Sequence, residues 1–143
     1  MIDDFTGIIG IVFKRGNPNK YVLIHNLKSG NITFPAGARE NYDRSVKDTL
    51  KREILEETGL LPKDYNIIET PLIYEFIYNE RKKQRAGEIA KQAVYLIETQ
   101  KIDSAPKDPN VEIDGWYTAE EIIKKLTFGD SKELFKQVLK YIL

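Results

Sequence analysis

One segment of the chain, Val46–Thr58, carries helix signals at both of its ends. Ser45 is a good N-cap residue, and Asp48 three positions later resembles the acidic member of a capping box. Gly59 stands where a left-handed C-terminal cap belongs, and the apolar Leu60 follows it. We therefore predict a helix over Val46–Thr58, and the rest of the chain has to supply a surface that covers its apolar side.

Three glutamates crowd into this predicted helix, at Glu53, Glu56 and Glu57. With about 100° per residue and Glu53 at the origin, Glu57 falls near 40° and Glu56 near 300°. The apolar stripe of the helix lies between about 20° and 100° and is formed by Val46, Leu50 and Ile54. Glu53 and Glu57 thus fall on the side that should face the core, where a carboxylate is costly unless a cation neutralises it.

The helix pattern alone allows two interpretations of these glutamates. Hard cations such as magnesium bind clustered carboxylate oxygens and keep several waters for substrate phosphates. Alternatively, the segment is an ordinary charged helix, in which Arg52 pairs with Glu56 one turn further along. Both interpretations fit the spacing.

Composition limits the classes of function. The chain has 143 residues, the size of one domain. It balances 22 basic against 22 acidic residues, which removes the general argument for binding nucleic acid or an anionic membrane. Cysteine is absent, so disulfides and thiolate sites are excluded. The N-terminus is acidic before a short apolar run, unlike a secretory signal, and no apolar stretch reaches membrane-helix length. We expect a single cytoplasmic domain over residues 1–143.

Further elements follow from alternating apolar patterns and turn signals. We predict strands at Thr6–Phe13, Tyr21–His25, Ile32–Phe34, Ile67–Glu69, Leu72–Tyr78, Ala93–Ile97 and Val111–Tyr117. The RGNPNK spacer indicates a hairpin between the first two strands, and PAGARENYDR is typical of a loop. Thr118 predicts a helix ending at Leu126, and Asp130 with Glu133 predicts the start of a terminal helix. This element order favours an α+β fold, in which helices pack on a mixed or antiparallel sheet.

The segment Arg52–Leu60, REILEETGL, resembles the second half of the Nudix box, G-x5-E-x7-R-E-U-x-E-E-x-G-U with U aliphatic, and matches it at every specified position. The first half departs from the pattern. Arg44 and Ala38 stand where the motif has its glutamate and its glycine, whereas Asp43 and Gly37 stand one position earlier. The simplest interpretation is one extra residue in the N-terminal turn of the helix, with Asp43 replacing the glutamate.

The resemblance implies a Nudix-like α/β/α sandwich around a mixed β-sheet and metal-dependent hydrolysis of a pyrophosphate bond. Carried over to this chain, it assigns Glu53, Glu56 and Glu57 as ligands of Mg²⁺ or Mn²⁺. Arg52 would orient these carboxylates, and Gly37 would shape the loop before the helix. Water would attack a phosphorus atom while the metal neutralises charge on the phosphate oxygens and helps to generate hydroxide.

The substrate stays open at the level of sequence. The resemblance allows a nucleotide sugar such as ADP-ribose, a nucleoside triphosphate or a dinucleoside polyphosphate. A different class is a non-catalytic Nudix-like domain that binds a nucleotide as a sensor. The expected partner is a small nucleotide, with no membrane and no nucleic acid apart from an RNA 5′ end, and a homodimer is left open.

Outside the box, several side chains are candidates for a role in the site. Glu112 and Glu88 are candidates for a general base, and each has the alternative of a solvated loop carboxylate. Trp116, followed by Tyr117, could stack on a nucleotide base or simply pack at a strand end. A basic hairpin tip is formed by Arg81, Lys82, Lys83 and Arg85; Arg81 could contact a distal phosphate, or the tip could be a solvated turn. His25, the single histidine, is expected to be structural.

Overall fold

The computed structural model describes residues 4–77 and 89–142 and has an α+β architecture. Its strands are β1 (Gly7–Lys14), β2 (Lys20–Asn26), β3 (Ile32–Thr33), β4 (Ala36–Ala38), β5 (Tyr65–Ile77), β6 (Ile89–Thr99) and β7 (Val111–Tyr117). Its α-helices are α1 (Val46–Thr58), α2 (Ala119–Lys125) and α3 (Gly129–Val138). Short 3₁₀ turns follow α1 and α3, at Pro62–Asp64 and Leu139–Tyr141.

In this part of the chain the strands form one mixed sheet with β1 at its centre. β1 pairs in parallel with β6 and antiparallel with β2 and β4, while the other pairings are antiparallel. The predicted β1–β2 hairpin is confirmed, but the two strands pair only next to their turn, at Phe13–Tyr21 and Lys14–Lys20. Beyond that point β4 takes over the edge of β1, and β3 takes over the edge of β2. The divergence of β1 and β2 leaves room for the segment that joins β3 to β4.

Alternation along β1 produces two cores, one on each face of the sheet. Ile8 and Val12 face α1, and they pack with Leu50 and Ile54 of that helix. Residues of the opposite face pack with α2 and α3 and include Ile9, Ile11, Leu23, Val94, Ile122 and Phe135. The predicted α/β/α sandwich around a mixed sheet is confirmed.

Helix α1 forms over the predicted residues because both of its ends are capped. The predicted capping box does not form, since the Asp48 carboxylate accepts a hydrogen bond from the Arg44 N–H at 3.1 Å. The Ser45 hydroxyl accepts a hydrogen bond from the Asp48 N–H at 3.3 Å. Gly59 adopts a left-handed conformation with φ of 79°, and its N–H donates to the Leu55 carbonyl at 2.9 Å. A Cβ atom on Gly59 would lie 2.0 Å from the Ala105 carbonyl oxygen. This position therefore requires glycine for its backbone angle and for its contact.

Three predicted elements differ from the structure. The segment expected to be a loop contains β4, whose three residues are stabilised by pairing with β1 rather than by a pattern of their own. The two strands predicted between residues 67 and 78 are one strand, β5, with an irregularity between Glu69 and Ile73. Asp130 does not cap α3, because the helix already begins at Gly129 and the Asp130 carboxylate accepts a hydrogen bond from the Tyr74 hydroxyl.

Among residues 4–77 and 89–142, no helix is both long and apolar enough to cross a membrane.

Candidate active site

Strand β4 and helix α1 lie against each other, and the contact involves two of the three glutamates. The Ala36 N–H donates a hydrogen bond to the Glu57 carboxylate at 2.8 Å. A Cβ atom on Gly37 would lie 2.1 Å from the carboxyl carbon of Glu53, so only glycine allows this approach. The sequence prediction that Glu53 and Glu57 face inward is confirmed, whereas the Glu56 side chain is 43% exposed.

Arg52 holds this cluster together through its guanidinium group. Its Nη1 donates to Glu53 Oε1 at 2.8 Å and lies 3.7 Å from Glu56 Oε2. Its Nη2 donates to Asp43 Oδ2 at 2.8 Å and to the Ala38 carbonyl at 3.0 Å. The planar guanidinium can make these contacts at fixed angles, so Arg52 orients Glu53 relative to the end of β4.

Asp43 is buried and receives hydrogen bonds from three sides. Besides Arg52, the Thr49 hydroxyl and the Glu40 N–H each donate to its Oδ2 at 2.9 Å. The Arg52 hydrogen bond, with smaller help from these donors, lowers the pKa of Asp43 to about 2. Asp43 is therefore a fixed negative charge that holds Arg52 in place.

The electrostatics of Glu53 and Glu57 are those of carboxylates in need of a counter-ion. Burial raises the pKa of Glu57 to about 8, and the charges of Glu53, Asp108 and Glu56 add to the shift. Burial and the charge of Glu56 raise the pKa of Glu53 to about 7, against the opposing effect of Arg52. In the absence of a cation, both groups hold protons more tightly than free glutamate does.

The donor set fits a hard divalent cation. Clustered carboxylate oxygens are the ligands that Mg²⁺ and Mn²⁺ prefer. A cation would favour the ionised form of both carboxylates, which burial and mutual repulsion disfavour. Within residues 4–77 and 89–142, the side chains do not form a group of three or more Asp, Glu, His or Cys residues close enough together to hold a metal ion. Arg52 holds Glu53 and the Ala36 N–H holds Glu57. Binding of a metal would therefore require these side chains to rotate.

The loop before β7 adds a carboxylate that no motif indicates. The N–H groups of Lys107 and Asp108 both donate to the Glu56 carbonyl, at 2.8 and 2.9 Å. These bonds satisfy a carbonyl at the C-terminal end of α1, which has no partner within the helix. They also bring the Asp108 carboxylate close enough to raise the pKa of Glu57.

The described contacts of Glu112 and Trp116 are with residues other than the three glutamates. Glu112 pairs with His25 at 3.0 Å on neighbouring strands, and its side chain is 58% exposed. Trp116 packs against the core under α1, and its Nε1 is buried without a hydrogen-bond partner in the described part of the chain. Arg81, with the rest of the basic hairpin tip, and Glu88 lie outside the described residues.

A cavity of about 370 Å³ lies on the other face of the sheet, near the N-terminus of α3. Aromatic side chains dominate its wall: Phe34, Tyr74, Phe76 and Phe128. Ala36 also lines it, so β4 borders the cavity as well as the glutamates. Sequence reasoning missed this cavity. The available signals were the phenylalanine before Pro35 and the aromatic residues two apart on β5.

Comparisons with known proteins identify the family and the fold of this chain. The model of the NUDIX domain matches residues 6–138. The chain belongs to the Nudix family. No protein with a curated description matches this Nudix chain in sequence.

Solved structures share the Nudix fold at low sequence identity. A candidate NUDIX hydrolase from Listeria monocytogenes is 17% identical, with a TM-score of 0.79 over 98% of this chain and 94% of that one. The NUDIX domain of Shewanella oneidensis NrtR, solved with ADP ribose, is 13% identical, with a TM-score of 0.75 over 100% and 91%. NrtR has also been solved with a 27mer DNA, at 17% identity and a TM-score of 0.66 over 96% and 61%. The Caenorhabditis elegans Ap4A hydrolase is 16% identical, with a TM-score of 0.72 over 97% and 99%.

Proposed function

We propose that this Nudix protein hydrolyses a pyrophosphate bond in a nucleoside diphosphate linked to another group, with Mg²⁺ or Mn²⁺ as cofactor. The observation that carries the proposal is the burial of Glu53 and Glu57 against β4, next to the exposed Glu56. Burial, and then the charges of neighbouring carboxylates, raise the pKa of both groups, which a structural role does not require. A bound divalent cation would neutralise these neighbouring carboxylates and so explain why they lie close together.

In this proposal Glu53, Glu56 and Glu57 hold the metal. When bound, the metal supplies positive charge for the phosphate oxygens and helps to generate hydroxide from water. Glu53 and Glu57 must lose their protons before they can act as ligands, since only the carboxylate binds. The exposed Glu56 can reorient without loss of packing, whereas Glu57 has to exchange its bond from the Ala36 N–H.

The other residues of the cluster act by position. Arg52 fixes Glu53 through its 2.8 Å hydrogen bond, and Asp43 fixes Arg52 in turn. We propose that Asp43 replaces the first glutamate of the Nudix box. Asp43 lies two residues before the N-cap Ser45, and the extra residue of this box falls between Asp43 and Arg52. Gly37 lets the backbone of β4 approach Glu53.

The general base stays unassigned in this proposal. The pairing of Glu112 with His25 on an exposed surface offers no support for Glu112 in that role. Trp116 likewise has a packing role under α1 that accounts for its position.

The proposed substrate is a nucleotide in which a phosphate chain links the nucleoside to a second group. Structures with this fold include an enzyme named as an Ap4A hydrolase and a domain solved with ADP ribose, which supports both dinucleoside polyphosphates and nucleotide sugars as test substrates. The aromatic cavity beside β4 has the volume and composition of a small-molecule site. Nucleoside triphosphates complete the panel.

A second candidate function is a Nudix-like domain that binds a nucleotide without hydrolysing it. Shewanella NrtR, solved both with ADP ribose and with DNA, favours this class. The altered first half of the box agrees with it, whereas the retention of Glu53, Glu56 and Glu57 favours hydrolysis.

A substrate screen separates the two functions. The protein is incubated with ADP-ribose, Ap4A, the four nucleoside triphosphates and a capped RNA, each with Mg²⁺, Mn²⁺ or EDTA, and the products are separated by chromatography. Hydrolysis predicts a released mononucleotide that depends on the metal. Binding of a nucleotide without turnover under every condition contradicts the enzyme and supports the sensor.

A further inference from the structure

Gln92 presents its carboxamide to the aromatic cavity. It lies on β6 opposite Tyr74 of β5, on the face that also carries Val94 and Leu96. The residue is only 9% exposed and lines the cavity. Within residues 4–77 and 89–142, its side chain has no hydrogen-bond partner. Small-molecule sites carry a few polar groups among apolar ones, so an unpaired amide that opens into this cavity is placed to bind a ligand.

The remaining lining indicates which part of a ligand the cavity takes. Among the described residues that line it there is no lysine, arginine or histidine, so no cationic side chain of that set faces the ligand. Asp130, the one carboxylate in that described lining, accepts a hydrogen bond from the Tyr74 hydroxyl. Aromatic rings provide faces on which a flat, uncharged group can stack. A planar heterocycle fits this combination.

The position of the cavity relative to the glutamates also favours a nucleotide base as its ligand. Ala36 lines the cavity with its side chain and donates its N–H to Glu57. A nucleotide that spans β4 can therefore place its phosphates at the carboxylate cluster and its base in the cavity. The anionic part of the nucleotide would then bind at the acidic cluster with its metal, and the neutral part would bind in the aromatic cavity.

We infer that Gln92 is a specificity-determining residue, whose carboxamide reads the hydrogen-bonding edge of the substrate's nucleobase. The amide offers one acceptor and two donor hydrogens, which match a base edge that carries a donor beside an acceptor. An aliphatic or purely sugar-like group would leave the amide unpaired or the aromatic faces uncovered. This inference rests on the proposed function only in taking the ligand to be a nucleotide.

Binding of reaction products tests the inference without any need for turnover. Calorimetry measures the Kd of AMP, GMP, CMP, UMP and ribose 5-phosphate, with Mg²⁺ present, for the wild type and for Gln92→Met and Gln92→Leu. Methionine keeps the length of glutamine without its amide, and leucine is a second apolar replacement. Gln137→Met, on the exposed side of α3, is the matched control. Thermal melting confirms that each variant is folded.

For the wild type we expect at least one mononucleotide to bind at least about tenfold more tightly than ribose 5-phosphate. Gln92→Met and Gln92→Leu should lose about tenfold or more of this affinity and leave the affinity for ribose 5-phosphate unchanged. The inference is overturned if no mononucleotide binds more tightly than ribose 5-phosphate, or if the Gln92 variants bind like Gln137→Met.

The outcome is independent of the proposed hydrolysis. If the wild type hydrolyses no nucleotide but the Gln92 variants lose the base-dependent part of the binding affinity, the role of Gln92 is supported and the proposed hydrolysis is contradicted. Hydrolysis with the same kcat/KM in the wild type and Gln92→Met would support the enzyme and overturn the role of Gln92.

Discussion

At the scale of single residues, Glu57 combines a buried carboxylate with three acidic neighbours. Its pKa of about 8 shows that the ionised form is disfavoured while no cation is bound. We predict that Glu57→Gln removes most of the hydrolytic activity, because the amide is a poor ligand for Mg²⁺. The same change should leave the metal-free melting temperature equal or slightly higher, since it keeps the shape and removes repulsion. Activity assays and thermal melts measure the two effects.

The matched control for this prediction is Glu120→Gln, the same replacement on the exposed side of α2. It should change neither activity nor stability. A large loss of metal-free stability in Glu57→Gln would identify Glu57 as a structural ion-pair partner and contradict its role as a metal ligand.

The raised pKa values of Glu53 and Glu57 also predict how stability depends on pH. Both values, about 7 and about 8, exceed the ordinary 4.5, so the folded state binds more protons than the unfolded state between these limits. The contribution of these groups to the free energy of unfolding therefore falls as pH rises from about 4.5 to about 8. Asp43 acts in the opposite sense, because its pKa is lowered, and its contribution is lost only as pH falls from about 3.8 toward 2.

Melting temperatures between pH 5 and pH 8 measure this effect. Without metal, the wild type should lose more stability over this range than Glu57→Gln, which lacks one of the two titrating groups. Saturating Mg²⁺ should reduce the difference between pH 5 and pH 8. Identical pH profiles for the wild type and Glu57→Gln would show that ionisation of Glu57 does not destabilise the folded state.

Asp43 supplies a third prediction at this scale. Asp43→Asn keeps the size of the side chain but removes the charge that Arg52 and its other donors face. We expect a loss of about 1–3 kcal/mol in the free energy of unfolding and a lower activity, because Arg52 would no longer be held beside Glu53. Denaturant unfolding measures the first effect. An unchanged free energy of unfolding would exclude the buried ion pair as a stabilising contact.

At the scale of elements, the approach of β4 to α1 depends on Gly37. Gly37→Ala would place a methyl group about where the Glu53 carboxyl now lies, so the strand or the side chain must move. We predict a loss of activity of at least about tenfold, measured as kcat/KM, with a smaller effect on folding. Gly129→Ala is the control, because a Cβ there meets nothing within 4 Å. Equal activity of the two variants would contradict the importance of this contact.

The elements also show which features the sequence could predict. Helix α1 was predicted with its observed bounds because its caps are local and its apolar stripe has a regular period. Strand β4 was not predicted, because three small residues acquire strand geometry only through pairing with β1. The same holds for Asp43, whose contact with Arg52 depends on the path of the loop before Ser45.

The site could be predicted where its residues share one helix. Glu53, Glu56, Glu57 and Arg52 are brought together by helical spacing alone, so the motif locates them. The cavity could not be predicted, because Gln92 and its aromatic neighbours come from distant strands and from the start of α3. Its local traces are Phe34 before Pro35 and the alternation of Tyr74 and Phe76 along β5.

At the scale of the whole molecule, the α/β/α layering places an acidic cluster and an aromatic cavity on opposite faces of one sheet. The face under α1 carries the acidic cluster, the opposite face carries the aromatic cavity, and β4 borders both. The divergence of β1 and β2 allows β4 to occupy this place. In the proposed function, the charged and the neutral parts of a nucleotide bind on the two sides of this short strand.

The central claim is that Glu53, Glu56 and Glu57 form a divalent-metal site. Calorimetric titration of Mn²⁺ at pH 7, repeated in two buffers with different ionisation enthalpies, tests it most directly because it reports affinity and proton release together. We predict that Mn²⁺ binds the wild type and releases protons from Glu53 and Glu57, whose pKa values of about 7 and 8 keep them partly protonated at this pH. Glu57→Gln should bind more weakly and release fewer protons. Equal Mn²⁺ affinity and equal proton release in the two proteins, or no binding by the wild type, would contradict the claim.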